Sequence, residues 1–485
     1  MTYNVHVHKV EKKYLWINGK KVTSDTFTPL YSPYSHEKIA DIAMADEQLT
    51  TDAISSAYKA FNIISTKPAY ERAIILEKVA NLLTERAEQA AEIIALESAK
   101  PITFAKTEVA RTIETYKFAA EEAKRIHGET IPFDASPGGV GRMGYTIRKP
   151  IGVIGAITPF NFPMNLVAHK LGPAIASGNS VVLKPASQTP LSALFIAELF
   201  QEAGLPNGVL NVVTGSGTIV GEAIIKDDRV KMVTFTGSPE VGIGIRGKAG
   251  LKKTTLELGS NAAVIIDEDV NIDSLIERCV MGAFSNQGQV CISLQRIYVH
   301  ENAYTQFVEK FVAATKKLKM GNPMNPDTYV SSLISERETK RALKWIEEAK
   351  QNHAQVLVGG KINNGILEPT VIVDANPKLK VSCQEVFAPI VIINPIVSVE
   401  EAIGYVNDSQ FGLQAGLYTQ NINHALLATD RLEVGAVIIN DIPTFRVDHM
   451  PYGGVKNSGT GREGVKFAVE EMTELKLVVW NQLQN

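Results

Sequence analysis

At 485 residues the chain is too long for one ordinary core, so two or more domains are expected. Its 45% hydrophobic and 21% charged residues are proportions of a soluble globular enzyme. A formal net charge of −3 gives neither nucleic acid nor an anionic membrane surface a reason to bind. The three cysteines, Cys279, Cys291 and Cys383, form no CxxC pair and cannot all pair with one another, which favours a reduced, cytoplasmic compartment. The opening MTYNVHVHKVEKKYLWINGKK lacks the long apolar core of a secretory signal. No uninterrupted apolar run approaches the roughly 20 residues that span a bilayer.

After the strand-like LWINGKKV, apolar residues recur at helical spacing from Pro68 to Lys100 and from Thr103 to Ile126, predicting two amphipathic helices. Arg111 falls on the second, where a solvated face or a local pair with Glu114 or Thr115 is the plain reading. The following GETIPFDASPGGVGRMGYTIRKP is rich in turn residues and then alternates, predicting a hairpin that leaves the domain surface.

From Ile151 the pattern changes to short runs rich in β-branched residues (IGVIGAI, SVVLKP, VLNVV, KMVTF, TTLEL) between helical stretches, which argues for a parallel sheet. The loop TGSGTIVGEAI, with Gly215, Gly217 and Gly221, follows a strand and opens a helix. Its last glycine interval is one residue too long for the dinucleotide fingerprint. At the next such junction, FTGSPEVG, Gly237 and Ser238 stand at a helix N-terminus. Free amides there suit a phosphate, and Ser238 equally suits a plain N-cap.

Glu257 ends the strand-like TTLEL, a position where α/β enzymes place reacting groups. Cys291 closes the polar, glycine-containing SNQGQVC, where a ligand can reach it, just before the strand-like RIYVH. Taken singly, each has a bland reading: a small buried hydrophobe for the cysteine, a solvated carboxylate for the glutamate. With Asn161 in ITPFNFP they supply the nucleophile, base and oxyanion donor of an acyl-enzyme mechanism. Beyond Cys291, helices are expected over 303–318 and 335–352, alternating with QVLVGG, LEPTVIV, VIINPIV and AVIIND. No internal repeat, low-complexity tract or long linker is visible. The apolar, strand-like MTELKLVVWNQ near the C-terminus is expected to pair with another strand.

The segments ITPFNFP, LKPASQTP, FTGSPEVG, LELGSN, GQVC, EVFAPI and MPYGGVKNSGTGREG, in this order over essentially the whole chain, resemble the aldehyde dehydrogenase superfamily. The nearest look is to its members acting on lactaldehyde, semialdehydes or, without phosphorylation, glyceraldehyde phosphate. The resemblance implies an α/β fold with a Rossmann-like cofactor domain over 1–127 and 148–256 and an α/β catalytic domain over 257–470. A small β oligomerisation element from 128–147 and 471–485 would build a homodimer or homotetramer. NAD or NADP is the implied cofactor and a small-molecule aldehyde the substrate; no metal is implied.

In the family's terms Cys291 is the nucleophile, Asn161 an oxyanion donor and Glu257 the base that admits water. Glu463, in GREG, matches a second glutamate that assists a proton relay, although a helix-start carboxylate would look the same. Lys184 matches the lysine that holds the adenosine ribose, and Glu385 and Phe387 match contacts to the nicotinamide ribose and ring. Thr158, Pro159, Gly217, Gly221, Gly237 and Ser238 complete the expected cofactor contacts. Ser187 stands where a ribose-binding glutamate is common, which leaves NADP open beside NAD. Three departures stand out: Ser260 and Asn261 replace a usual glycine and lysine, and Phe160 a common tryptophan.

Arg111, Arg446 and His449 match positions near the aldehyde entrance, and arginine suits an anionic group. A short polar or anionic aldehyde is therefore expected, while Val290, beside the cysteine, speaks against glyceraldehyde 3-phosphate. Surface or interdomain pairing of both arginines is the competing reading. A coenzyme-A-acylating enzyme is opposed by Glu257, and a non-catalytic structural protein on the same scaffold by the survival of Cys291, Glu257 and Asn161.

Overall fold

The computed structural model describes residues 11–481. The first ten residues of the opening stretch and residues 482–485 of the expected oligomerisation element lie outside them. Two large sheets, each flanked by helices, carry the molecule. This is the α/β class expected from the alternation of short strands and helices.

The first sheet has five parallel strands in the spatial order Leu210–Val212, Ser180–Lys184, Val153–Ile157, Val230–Thr236 and Lys253–Glu257. Every residue of Val153–Ile157 and Ser180–Lys184 is buried, as expected of central strands covered on both faces. The second sheet runs Thr370–Val373, Ile390–Ile396, Arg296–His300, Ala263–Ile266, Gln414–Tyr418 and Ala436–Ile439, all parallel, with Gln355–Val358 antiparallel at one edge.

The strand-like tail does find a partner. Thr473–Asn481 pairs antiparallel with Arg142–Pro150 from Thr473–Pro150 through to Asn481–Arg142, and Thr130–Ile131 adds a third strand. Leu475, Leu477, Val479 and Trp480 of this small sheet are exposed. Among the described residues, no helix is long and apolar enough to cross a membrane.

The helix expected over 68–100 is two, Ala69–Glu85 and Ala87–Ser98. The break is at Arg86, whose φ of −112° and ψ of 25° leave the helical well. Apolar spacing carries on through the break, so periodicity does not register it.

A two-residue strand ties the chain's halves together. Gly459–Thr460 returns from the far side of the molecule and pairs antiparallel with Leu256–Glu257, at the edge of the first sheet. Gly459 has φ of 143°, and a Cβ there would lie 2.0 Å from the Leu256 carbonyl oxygen. Gly459→Ala is therefore expected to destabilise the protein by about 1–3 kcal/mol. Chemical denaturation would show this as a lower midpoint, and an unchanged midpoint would show the pairing to be dispensable.

Candidate active site

The turn before Cys291 has an uncommon backbone. Asn286, Gln287 and Gly288 have φ of 49°, 56° and 70° in succession, a left-handed run that persists only where its surroundings fix it. Gln287 Nε2 donates to the Ala99 and Ser332 carbonyls at 3.1 and 2.9 Å. Asn286 Nδ2 donates to the carbonyls of Gln289 and Asn161 at 3.1 and 3.2 Å. At Gly288 a Cβ would sit 2.2 Å from the Ala388 carbonyl oxygen, so the close approach of the two segments demands glycine.

This turn delivers Cys291 to the wall of a cavity of about 250 Å³. Phe104, Phe162, Leu166, Met281, Val290 and Ile292 supply apolar walls, while Lys100, Arg111, Arg446 and Tyr452 supply polar groups. Cys291 Sγ lies 2.7 Å from the Tyr452 hydroxyl. Burial pushes the thiol up to about 11, with Glu385 and Glu257 adding to the rise, against the Tyr452 hydrogen bond and the Arg446 charge.

Asn161 is held from both ends. Its Nδ2 donates to the Gln289 carbonyl at 3.0 Å, two residues before the cysteine, and its Oδ1 is buried without a partner. Lys100 Nζ donates to the Asn161 carbonyl at 2.6 Å, pairs with Glu108 and lies 3.8 Å from the centroid of the Phe162 ring. The remaining Glu108 oxygen accepts from the backbone N–H groups of Met164 and Asn165 at 2.9 and 3.2 Å, which fixes the start of the helix Asn165–Ala176.

Glu257 is the last residue of its strand, and both its carboxyl oxygens are buried with no hydrogen-bond partner. Burial, then repulsion from Glu463, raises its pKa well above the carboxylate range; Arg446, Lys170 and Arg462 pull the other way. Glu463 is its opposite. Burial again acts upward, but Lys170 Nζ at 3.2 Å and Arg446 Nη2 at 3.0 Å hold Glu463 down to about 2. The surroundings thus push the proton affinities of these two buried carboxyls in opposite directions.

Arg446 stacks 3.6 Å from the centroid of the Tyr452 ring, and its Nε is buried without a partner. Arg111 grips Asp448 through Nη2 at 2.7 Å and Nε at 3.2 Å, while the Thr115 hydroxyl donates to the Arg111 backbone carbonyl at 2.9 Å and Glu114 pairs with Lys117 instead. His169 and Asn165 bond the same Asp448 oxygen at 2.9 and 3.1 Å. The structure does not bring His449 into the cavity: it is exposed and tilts against Phe118, ring centroids 4.7 Å apart.

On the first sheet, Lys184 and Ser187 follow one strand, Gly217 and Gly221 the next helix start, and Gly237 and Ser238 another. These are C-terminal ends of parallel strands, where open α/β sheets bind ligands. Lys184 Nζ is nearly buried, with a 3.2 Å bond to the Pro185 carbonyl, and burial draws it down to about 8. Ser187 is exposed and donates to the Gly215 carbonyl at 3.3 Å. A Cβ at Gly217 or Gly221 would meet nothing within 4 Å, and Ile219 and Val241 on these helices are exposed. Ser238 caps its helix, accepting from Val241 N at 3.5 Å, and a Cβ at Gly237 would strike the Phe235 ring at 2.5 Å. The Thr158 N–H donates to the Lys184 carbonyl at 3.1 Å, which places Thr158 and Pro159 beside this lysine.

Glu385 Oε1 accepts from Ser260 N at 2.9 Å, and Oε2 lies 2.7 Å from where a Cβ on Gly259 would stand. Burial raises this carboxyl to about 7. Phe387 meets Phe160 edge-on at 5.8 Å. The departures at 260 and 261 thus have structural partners, Asn261 bonding the Ser382 carbonyl at 3.1 Å. A lysine without a carboxylate, an exposed serine, open glycine-bearing helix starts and a carboxyl against Gly259 fit a dinucleotide laid along the strand ends.

Sequence reasoning passed over Tyr452, Lys100, Glu108, Lys170, His169 and Asp448. A signal existed for two: His169 and Lys170 stand inside NLVAHKLGPAIA, a helix buried throughout and, after Asn165, otherwise without polar side chains.

The aldehyde dehydrogenase family matches residues 16–478. A 3-sulfolactaldehyde dehydrogenase of Priestia aryabhattai is 47% identical over 98% of this chain and 99% of its own. Aldehyde dehydrogenase 21 of Physcomitrella patens, solved with the reaction product succinate, superposes with a TM-score of 0.96 at 41% identity, covering 98% of this chain and 99% of that one. The glyceraldehyde-3-phosphate dehydrogenase GapN of Methanocaldococcus jannaschii, complexed with NADP, gives 0.91 at 38% identity, covering 94% of this chain and 100% of that one.

The two carboxyls generate a prediction. Removing the Glu463 charge takes away a repulsion that raises Glu257 and leaves Lys170 and Arg446 free to lower it. In Glu463→Gln the protonated-carboxyl infrared band of Glu257, identified by its loss in Glu257→Gln, should vanish at lower pH than in the parent. A band titrating at the parent's pH would show that the two groups do not interact.

Proposed function

The chain belongs to the aldehyde dehydrogenase family, and on that premise we propose that it oxidises a short polar or anionic aldehyde to its carboxylic acid through Cys291. The cofactor is NAD or NADP, the latter bound by the Methanocaldococcus neighbour. One observation carries the reading. The thiol in the cavity is within electrostatic reach of a buried carboxyl, Glu257, whose two oxygens no hydrogen bond occupies.

The Cys291 thiolate adds to the aldehyde carbon and forms a thiohemiacetal. Asn161 has one amide hydrogen committed to Gln289 and a second for the oxyanion, alongside the Cys291 backbone N–H. Losing one such donor typically costs about 3–4 kcal/mol of transition-state stabilisation. Glu385 and Phe387 would hold a nicotinamide, which would supply the hydride acceptor that oxidation needs. The acyl group then sits on Cys291 as a thioester, and Glu257 takes the proton of the water that releases it. A raised affinity for protons suits that base, and Glu463, held charged by Lys170 and Arg446, acts on it by repulsion. A thiol acceptor such as coenzyme A would need less help, so Glu257 favours hydrolysis.

Substrate class follows from the cavity. A volume of about 250 Å³ admits a short chain, and Arg111 and Arg446 line it. Arg111, partly exposed on the cavity wall, supports a carboxylate or sulfonate near the thiol. Val290 adds no third arginine. The Priestia relative's name points to a sulfonated three-carbon aldehyde and the succinate complex to a semialdehyde; lactaldehyde-like compounds fit the same space. His449, exposed against Phe118, has no part in it. Residues 1–127 and 148–256 are assigned to cofactor binding and 257–470 to catalysis. Residues 128–147 and 471–485 are assigned to a homodimer or homotetramer contact, supported by the exposed apolar residues of the small sheet. A cytoplasmic setting agrees with three free cysteines.

Cys291→Ala should abolish oxidation, and Glu257→Gln should accumulate a thioester after one turnover, read by rapid mixing and mass spectrometry. An unchanged burst and steady state in the glutamine variant would assign the base elsewhere.

Arg111→Ala should lower kcat/KM for a sulfonated or carboxylated aldehyde about tenfold or more while changing a neutral one little. Equal losses for both would remove Arg111 from substrate recognition.

A further inference from the structure

We propose that Tyr452 is a catalytic residue of this protein: its hydroxyl donates a hydrogen bond to Cys291 Sγ and, backed by the Arg446 guanidinium, makes that sulfur easier to ionise than its buried setting alone would allow. The proposal rests on Cys291 being the nucleophile, but it concerns the sulfur itself and can be tested without any aldehyde.

The geometry leaves the hydroxyl one evident purpose. Tyr452 is 2% exposed and sits in an apolar cluster with Val290, Ile292, Leu413 and Met450. Phenylalanine would fill such a place, and a buried phenol oxygen without a partner is costly. The partner here is Cys291 Sγ, at 2.7 Å. Burial holds the Tyr452 pKa well above the usual phenol range, so the group stays a donor. A bond to a charged acceptor is stronger than one to a neutral acceptor, so the contact favours the thiolate over the thiol.

The ring cannot readily swing away. Tyr452 N donates to the Glu463 carbonyl at 3.0 Å, and Glu463 N returns a bond to the Tyr452 carbonyl at 2.7 Å. The Glu463 side chain holds Arg446, and Arg446 covers the Tyr452 ring at 3.6 Å, which closes the circuit. A cation on the face of a phenol draws electron density from it and sharpens its hydroxyl as a donor. The titratable groups facing the sulfur are Tyr452 and Arg446, which favour its ionisation, and Glu385 and Glu257, which oppose it. Tyr452 faces Cys291, Arg446 and Glu257. Burial and two carboxyls would leave the nucleophile protonated; the hydroxyl and the guanidinium are what the site sets against them.

The test is the pH dependence of Cys291 alkylation by iodoacetamide in the intact protein, located by peptide mapping. Tyr452→Phe removes one oxygen and keeps the ring, the cation contact and the backbone bonds. Its alkylation profile should move about one to two pH units higher, with a rate at neutral pH at least tenfold below the parent's. Its kcat/KM for an aldehyde should fall likewise and recover as pH rises, whereas a packing defect would lower it at every pH. An alkylation profile that superimposes on the parent's overturns the proposal. A shifted alkylation profile with no oxidation of any aldehyde by the parent would instead overturn the reaction assigned to the site. Thermal unfolding of the variant within a few degrees of the parent confirms that the comparison is between folded proteins.

Discussion

The Glu463 carboxylate, buried between Lys170 and Arg446, is the interaction on which the site depends. Its two partners come from different parts of the chain: Lys170 from the helix beside the first sheet, Arg446 from the long segment that returns toward that sheet. Removing one member of such a pair leaves an uncompensated buried charge, which makes the arrangement all or nothing. Everything near the thiol follows from it. Arg446 is fixed over Tyr452, Tyr452 against Cys291, and the charge on Glu463 keeps Glu257 from ionising early.

A second layer of charge repeats the scheme at the cavity wall. Asp448 collects Arg111, His169 and Asn165, and Lys100 collects Glu108 and the Asn161 carbonyl. Burial raises Asp448 in principle, yet His169 and Arg111 keep it far below the usual carboxylate range. The arginines expected to meet a substrate anion are therefore also structural: each spends part of its guanidinium on a carboxylate and keeps the rest. The structure shows the pairing, Arg111 with Asp448 and Arg446 with Glu463; the anion site belongs to the proposed function.

Much of this was legible in the chain. Short β-branched runs gave the parallel sheet, and the apolar tail announced its pairing with 142–150. Cys291 and Glu257 stood out because a polar turn and a strand end are where reacting groups belong. What stayed hidden was long-range. Nothing local says that Arg111 will meet Asp448, or that the tyrosine of MPYGG will reach a cysteine from a distant segment. The break at Arg86 escaped because apolar periodicity runs through it. His449 looked like a site residue from its neighbours, but the turn that buries Asp448 points the next residue outward.

The Gly459–Thr460 strand has a consequence in time. It joins residues about two hundred positions from Leu256 and Glu257, and closing a loop of that length must precede any reward from the contact. As the chain leaves the ribosome, the first sheet can assemble while its Glu257 edge is still bare, since the covering strand has yet to be translated. The edge of the first sheet at Glu257 is therefore completed only when Gly459 and Thr460, close to the C-terminal end, fold back onto it.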